Sequence, residues 1–229
     1  MSRIKKGRVH RRRRLTIAIG ILVIASAAYV LGWSSVFTVK QVLVVGAPNP
    51  SEAFIIEHSV HVGDKLARLE LQAITKSLEK YPWLDHSKIN RNWLKGAITI
   101  HVWTRTPIAQ FQGHLVDEHG VVFDLPGVDT SRLPSVTGDN AASAKFAADL
   151  LTGLPDQLRL QVIGIVVHGS DSAILSIKDP TFNKVLSVVW GDLTNMSLKV
   201  QVYQALLALP ENAKIVKVDV SAPHAPIVQ

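Results

Sequence analysis

The chain has 229 residues, 47% of them hydrophobic, and its formal net charge is +7 at neutral pH. It contains no cysteine, which excludes disulfides, thiolate metal sites and a cysteine nucleophile. Of the 25 Lys and Arg residues, eight lie before residue 15, which leaves 17 against 18 acidic residues in the rest of the chain. The excess positive charge therefore belongs to the first 14 residues, and the near-neutral remainder does not indicate nucleic-acid binding.

An uncharged apolar stretch without proline, residues 15–32, follows this basic run. As a helix it would be about 27 Å long, and a bilayer core is about 30 Å thick. Tyr29 and Trp33 near its outer end are typical of the membrane interface. We therefore predict a transmembrane helix over 15–35, with apolar anchor residues Leu15, Ile17, Ile19, Ile21, Leu22, Val23, Ile24, Val30 and Leu31. The alternatives are a signal peptide cleaved within Ala25–Ala28 and a buried core helix, which would not need the preceding arginines.

The basic run predicts the orientation of this segment. Arg11, Arg12, Arg13 and Arg14 directly precede it, and residues 1–14 contain no acidic side chain. The positive-inside rule places these residues in the cytoplasm and the rest of the chain outside, as in a single-pass type II protein of the plasma membrane. A nucleic-acid-binding tail is the alternative for such a run, but contact with anionic lipid headgroups explains it more simply.

The residues after the apolar stretch predict a β-α-α-β-β unit that ends before Pro107. The predicted elements are a strand over 37–46, helices over 53–59 and 69–80, and strands over 89–93 and 97–105. Asn49 is the expected cap of the first helix, and Pro50 takes its first position. In the last strand Ile98, Ile100 and Val102 share one face. Such a unit makes a three-stranded sheet covered by two helices.

Strands predominate after Pro107. We predict strands over 108–112, 115–117, 121–125, 162–167, 173–177, 185–190 and 215–220, and helices over 141–151, 155–160 and 196–209. Residues 127–138 are typical of a loop, and turns are expected at 169–171 and 179–180. The last helix carries Leu198, Val202, Leu206 and Leu209 on one face. The fold class is therefore α+β, with a mostly antiparallel second domain and flanking helices.

No catalytic or metal-binding pattern is found. His58 and His61 are three residues apart, and His114 and His119 lie at the ends of a predicted hairpin, where exposed polar residues are expected. The sequence has no His-Glu-x-x-His motif, no phosphate-binding glycine loop and no Gly-x-Ser-x-Gly elbow. For Trp83, Trp93, Trp103 and Trp190, packing in a core or against another domain is favoured over a ligand cage. We therefore predict neither enzymatic activity nor a cofactor or metal.

The order of these elements, together with several short motifs, resembles the FtsQ/DivIB family of bacterial cell division proteins over nearly the whole chain. In the first unit, similar to a POTRA domain, the motifs are Val39, Val42, Val44, Gly46, Gly63, 66–69, 81–84, Ile89, Arg91, Trp93, 98–102 and 105–109. In the second unit they are 115–117, 120–123, 133–134, Gly138, 189–191, Lys199 and 218–223, the last of which is similar to actinobacterial members. Two departures are Thr104, where an acid is usual, and Leu94, where proline is common.

The resemblance implies a domain order: a cytoplasmic tail over 1–14, a transmembrane helix over 15–35, a POTRA domain over 37–105, an FtsQ-type β domain over 106–221 and a tail over 222–229. It also implies a non-enzymatic scaffold of the divisome, enriched at the division septum. Such a scaffold binds FtsB-like and FtsL-like bitopic proteins, contacts other divisome proteins and links them to septal peptidoglycan synthesis. The alternatives are a membrane-anchored extracytoplasmic cell-wall enzyme and a POTRA-type chaperone for exported polypeptides.

The resemblance also suggests where an FtsB-like protein would bind. Carried over by position, the candidate residues are Lys199, Tyr203, Val218, Asp219, Val220, Ser221 and Ala222. If 215–220 is the edge strand of its sheet, its free backbone groups could accept a strand of the partner. The alternative is that it is only the last core strand. In the POTRA-like unit, 37–46 could pair through its edge in the same way.

Overall fold

A computed structural model describes residues 4–33, 37–169, 171–179 and 184–229, and within the first helix it describes the side chains of 14–30. The predicted turns at 169–171 and 179–180 each include a residue outside the described part. The chain divides into two compact units, residues 1–104 and 105–229.

The N-terminal helix α1 spans Ile4–Trp33 and thus begins well before the predicted apolar segment. All the predicted anchor side chains from Leu15 to Val30 are exposed, as is Arg14. The side chains of Leu31 and of Arg11, Arg12 and Arg13 lie outside the described part. Among the residues described, no helix is both long enough and apolar enough to cross a bilayer.

The first unit has the predicted β-α-α-β-β order. Its elements are β1 (Gln41–Val45), α2 (Pro50–Glu57), α3 (Leu71–Leu78), β2 (Leu84–Asn92) and β3 (Ala97–Thr104), with a 3₁₀ turn over Leu66–Arg68. The sheet order is β1-β3-β2, in which β1 and β3 are parallel and β2 and β3 are antiparallel. β1 begins later than predicted, because Val39 donates its N–H to the Asp64 carbonyl and Thr38 bridges Lys65. These residues hold a loop instead of joining the sheet.

Local signals in this unit are confirmed. The Asn49 side chain caps α2 by accepting from the Glu52 N–H at 2.9 Å, and Pro50 takes the first helical position. Ile98, Ile100 and Val102, which share one face of β3, are all buried. Gly46 closes β1 with φ +92°, and a Cβ there would lie 2.2 Å from the Val102 carbonyl oxygen. Only glycine therefore fits this exit from the strand.

The second unit contains most of the strands. Its strands are β4 (Pro107–Phe111), β5 (His114–Asp117), β6 (Val122–Phe123), β7 (Ser135–Thr137), β8 (Val162–His168), β9 (Ser172–Asp179), β10 (Lys184–Gly191), β11 (Lys217–Asp219) and β12 (Ile227–Val228). Its helices are α4 (Ala141–Gly153), α5 (Asp156–Arg159) and α6 (Met196–Ala208), followed by a 3₁₀ turn over Pro210–Lys214. The fold class is thus α+β, with a mixed sheet in this unit.

A single nine-stranded sheet organises the second unit, in the order β12-β11-β10-β9-β8-β7-β4-β5-β6. The predicted meander β8-β9-β10 is antiparallel, as are β4-β5, β5-β6 and β11-β12, whereas β4-β7, β7-β8 and β10-β11 are parallel. The core packs α4 and part of α6 against the sheet, with Trp190, Leu175 and Leu150 fully buried.

Three predictions for this unit are wrong. Residues 127–138 are not only loop, because β7 inserts between β4 and β8 as a central strand with Val136 buried. The predicted face of α6 is wrong in part: Val202 and Leu206 do pack partly buried against the core, but the fully buried side is formed by Lys199, Val200 and Tyr203, and Leu209 is exposed. The strand predicted over 215–220 contains only three strand residues and is not the last, because the chain turns back and adds β12.

Candidate functional site

The end of the nine-stranded sheet formed by β10, β11 and β12 contains most of the predicted partner-binding residues. β11 pairs in parallel with β10, where Val188 faces Val218, and antiparallel with β12, where Val218 faces Val228. The Lys217 and Gln229 backbones exchange two hydrogen bonds, at 3.1 and 3.0 Å. β11 is therefore an internal strand, so the condition for strand addition given above, that it lies at the edge of its sheet, is not met while β12 is paired.

The backbone groups of β11 point alternately to its two neighbours. Val220 donates its N–H to the Val189 carbonyl on the β10 side at 3.0 Å. Lys217 donates to Gln229 on the β12 side, and Asp219, two residues on, faces the same way because strand alternation has a period of two. The backbone N–H and C=O groups of Lys217 and Asp219 therefore form the outward edge of β11, on the side of β12.

A side-chain turn ends β11. The Asp219 Oδ1 accepts from the Ser221 N–H at 2.9 Å and from the Ser221 hydroxyl at 2.6 Å. Such a local bond gives the backbone an alternative to the ladder and turns the chain away from the sheet. Gly191 lies beneath this turn with φ +71°, and a Cβ there would come within 2.8 Å of the Ser221 Cβ. The turn therefore packs directly on the end of β10.

A buried lysine supports the same region from α6. Lys199 is completely buried, and its Nζ donates to the Asp192 Oδ1 at 2.7 Å and to the Asp192 carbonyl oxygen at 2.9 Å. The Asp192 carboxylate also accepts from the Thr194 N–H and hydroxyl. The bond from Lys199, with those from Thr194, lowers the pKa of Asp192 to about 2. Lys199 thereby ties α6 to the loop that follows β10.

Tyr203 lies one turn farther along α6 and is also buried. Burial, with a smaller contribution from the negative charge of Asp179, raises the pKa of Tyr203 to about 12. Its hydroxyl has no hydrogen-bond partner among the described residues. Tyr203 therefore serves the core as a neutral side chain at physiological pH.

The seven predicted partner-binding residues differ in how far they are exposed. Lys199, Tyr203, Val218 and Val220 are buried, Asp219 is half-buried, and Ser221 and Ala222 are exposed. A partner docked on this structure would reach Asp219, Ser221 and Ala222 directly, whereas the buried four support them. Sequence reasoning missed the neighbouring β12 and Lys217, since a two-residue strand after two prolines leaves no periodic pattern.

The histidines and tryptophans that the sequence analysis considered differ in their exposure to solvent. His58, His61, His114 and His119 are exposed, as predicted. Among the residues that the structure describes, no group of three or more His, Asp or Glu side chains could hold a metal ion. For the tryptophans, Trp83 and Trp190 are buried in their respective cores, whereas Trp93 and Trp103 remain substantially exposed.

Two family models match this chain. Residues 37–103 match the POTRA domain of FtsQ type, and residues 108–221 match the C-terminal domain of the cell division protein FtsQ/DivIB. The first match lies within the first compact unit, and the second lies within the nine-stranded unit.

Three relatives, each named cell division protein FtsQ, align with the chain. Identity is 27% over 164 residues for Thioalkalivibrio sp. (strain K90mix), 31% over 146 for Anaeromyxobacter sp. (strain K) and 26% over 175 for Salinibacter ruber. The alignments cover 68%, 56% and 68% of this chain, and 65%, 49% and 68% of the respective relatives. The chain therefore matches from about half to about two thirds of each relative's length.

Proposed function

Because the chain belongs to the FtsQ/DivIB family of bacterial cell division proteins, we propose that it is a bitopic scaffold of the divisome. It binds FtsB-like and FtsL-like subunits and links them to septal peptidoglycan synthesis. In this proposal 1–14 is the cytoplasmic tail, 15–35 the membrane anchor, 37–105 the POTRA domain, 106–221 the β domain and 222–229 a C-terminal tail. The protein would be enriched at the division septum and would have no enzymatic activity of its own.

The anchor is supported by the character of α1. From Leu15 to Val30 the helix carries no charged side chain, and its large apolar side chains are exposed. Exposed apolar side chains on all sides of one helix are costly in water and favourable in hydrocarbon. Arg11 to Arg14 before it supply the positive charge that would hold the N-terminus in the cytoplasm.

Partner binding is supported by one observation above the others, the construction of the sheet end at β11. The strand is held on its inner side by β10, while its outer side is covered only by the two-residue β12. Adding a strand to a sheet edge gives affinity through main-chain hydrogen bonds. The exposed Ser221 and Ala222 directly follow β11 and would contribute side-chain contacts to a strand that takes the place of β12.

The proposed site is tested with a pair of matched variants. Ala222→Arg adds a long charged side chain beside β11, whereas Ala141→Arg adds the same side chain at an exposed position at the start of α4. The full-length chain is purified from membranes with its co-expressed FtsB-like subunit. We expect Ala222→Arg to reduce recovery of the subunit at least tenfold and Ala141→Arg to leave it unchanged. Equal recovery with both variants would place the partner elsewhere.

The scaffold role is tested in cells. Depletion of the protein should give filaments with incomplete septa, because the septal machinery would not assemble. Normal division after depletion would contradict the proposal. Complementation by the Ala141→Arg variant but not by Ala222→Arg would connect the division defect to the sheet end.

A further inference from the structure

We propose that residues 226–229 act as an intramolecular competitor for the outward edge of β11, so that a partner strand binds there only when β12 detaches. This inference rests on the proposed strand addition at β11. The competing segment belongs to the chain itself and pairs with β11 in a defined register.

The segment occupies the edge that a partner strand would use. The Gln229 carbonyl accepts from the N–H groups of Val216 and Lys217, at 2.9 and 3.1 Å, and the Gln229 N–H donates to the Lys217 carbonyl at 3.0 Å. Val228 lies opposite Val218, and Ile227 lies opposite Asp219. An incoming strand cannot pair with the same backbone groups while these bonds persist, so the two strands exclude each other.

β11 is held much more firmly on its inner side, towards β10, than on its outer side, towards β12. On the inner side Val218 and Val220 are completely buried, and the Val220 N–H is bonded to β10. On the outer side β12 has two residues, of which Ile227 is 56% exposed and Val228 is only partly buried against the core. Detaching β12 therefore breaks few contacts and leaves β11 in place, because the core holds β11 independently.

The residues before β12 keep this pairing short. Pro226, directly before β12, has no N–H to donate to a ladder. Pro223 is buried, and the Ala225 N–H closes a turn onto the Ala222 carbonyl. The segment is thus anchored at Pro223 and pairs with β11 only through 227–229. A longer partner strand would form more ladder hydrogen bonds than β12 and would displace it.

Hydrogen exchange of the full-length chain tests the detachment without any partner. The amides of Val216 and Lys217, which bond to Gln229, should exchange at least tenfold faster than the amide of Val220, which bonds to β10. Removal of residues 226–229 should expose the first two amides and leave Val220 protected. Equal protection of all three amides in the intact chain would overturn the proposal, whatever the partner does.

A reversible lock tests the competition. Lys217 and Gln229 exchange both backbone hydrogen bonds, so their Cα atoms are about 5.5 Å apart, within the range of about 4.4–6.8 Å that a disulfide spans. Since the chain contains no cysteine, Lys217→Cys with Gln229→Cys introduces one defined pair. The same molecule with dithiothreitol is the matched control. We expect oxidation to weaken capture of the FtsB-like subunit at least tenfold, reduction to restore it, and truncation before Pro226 to strengthen it about threefold or more.

The outcomes separate this inference from the proposed function. Equal capture by the oxidised and reduced forms would overturn the competition, as would loss of capture on truncation, which would make β12 the platform for the partner. Failure of the intact, reduced and truncated chains alike to capture the subunit would contradict the proposed function itself. The exchange measurement would then still decide whether β12 detaches.

Discussion

Each end of the nine-stranded sheet contains an ion pair with a buried member. At one end both side chains are largely buried, whereas at the other end only the lysine is buried. Near β4 and β5, Arg105 Nη1 contacts Asp117 Oδ2 at 2.6 Å, and the two side chains are only 18% and 4% exposed. The second carboxylate oxygen of Asp117 accepts from the N–H groups of His119 and Val121. Near β10, the fully buried Lys199 contacts Asp192, whose side chain is 50% exposed.

This difference separates a closed end of the sheet from an adaptable one. Asp117 has exchanged water for an ion pair and two backbone donors, so losing its carboxylate removes all three of these bonds at a buried position. Asp192 keeps half of its side chain in solvent, which screens its charge, whereas the buried Lys199 must keep its bonds to Asp192. The adaptable end is also the end that carries β11, β12 and the proposed partner site.

The largest effect is expected at the closed end. Asp117→Ala removes a buried carboxylate that pairs with Arg105 and should destabilise residues 105–229 by about 3–5 kcal/mol, the usual cost of breaking a buried pair. Asp124→Ala is the control, because Asp124 pairs with His114 at the surface and should cost less than about 1 kcal/mol. Hydrogen exchange of the β4 and β5 amides in increasing urea measures both. Similar losses would show that the buried Arg105–Asp117 pair stabilises this end of the sheet no more than a surface pair does.

The next largest effect is expected in alkali, at Tyr203. Because the pKa of Tyr203 is raised to about 12, its contribution to stability is fully present below about pH 10 and is lost as the pH rises towards 12. Two pKa units correspond to at most about 2–3 kcal/mol. Tyr203→Phe should remove this dependence and cost little at pH 7. The free energy of unfolding in urea is measured for both proteins at pH 8 and pH 11. An equal loss of stability in the two proteins would contradict this prediction.

The smallest effect is expected in acid, at the adaptable end. Because the pKa of Asp192 is lowered to about 2, its contribution is present above about pH 4 and is lost as the pH falls towards 2. Solvent screens this half-exposed carboxylate, so the loss should not exceed about 1 kcal/mol. Lys199→Met keeps the buried stem without the charge and should reduce the acid dependence, leaving the part that comes from the Thr194 bonds. An unchanged acid transition in Lys199→Met would assign the effect to other carboxylates.

Strong local signals in the sequence predict much of this architecture. The Asn49 cap, the alternation in β3 and the β8-β9-β10 meander each depend on adjacent residues, and each is confirmed. β7 and β12 were missed because their two or three residues pair only through tertiary contacts, and neighbouring prolines suggested loops.

The candidate site was predicted less well, for a reason specific to α6. Its buried side is centred on Lys199, because a lysine stem packs like an aliphatic side chain when its ammonium group finds a carboxylate. When lysine is counted as polar, the hydrophobic pattern therefore places the buried face of α6 nearer to Leu198 and Val202. The edge of the sheet was expected at β11 instead of β12, because nothing in the sequence around Ile227 and Val228 indicates that they pair with β11.

The parallel pairing of β10 with β11 has a consequence for how the chain folds. Ser187 must meet Lys217 across a crossover that contains the whole of α6, whereas β9 pairs with the strand that follows it closely in sequence, β10. Closing the longer loop costs more entropy before any contact compensates for it, and such non-local pairings form slowly. We therefore expect the meander to form first, β11 to dock later and β12 to close last. The segment that closes last during folding is the same one that our inference requires to open most readily in the native protein.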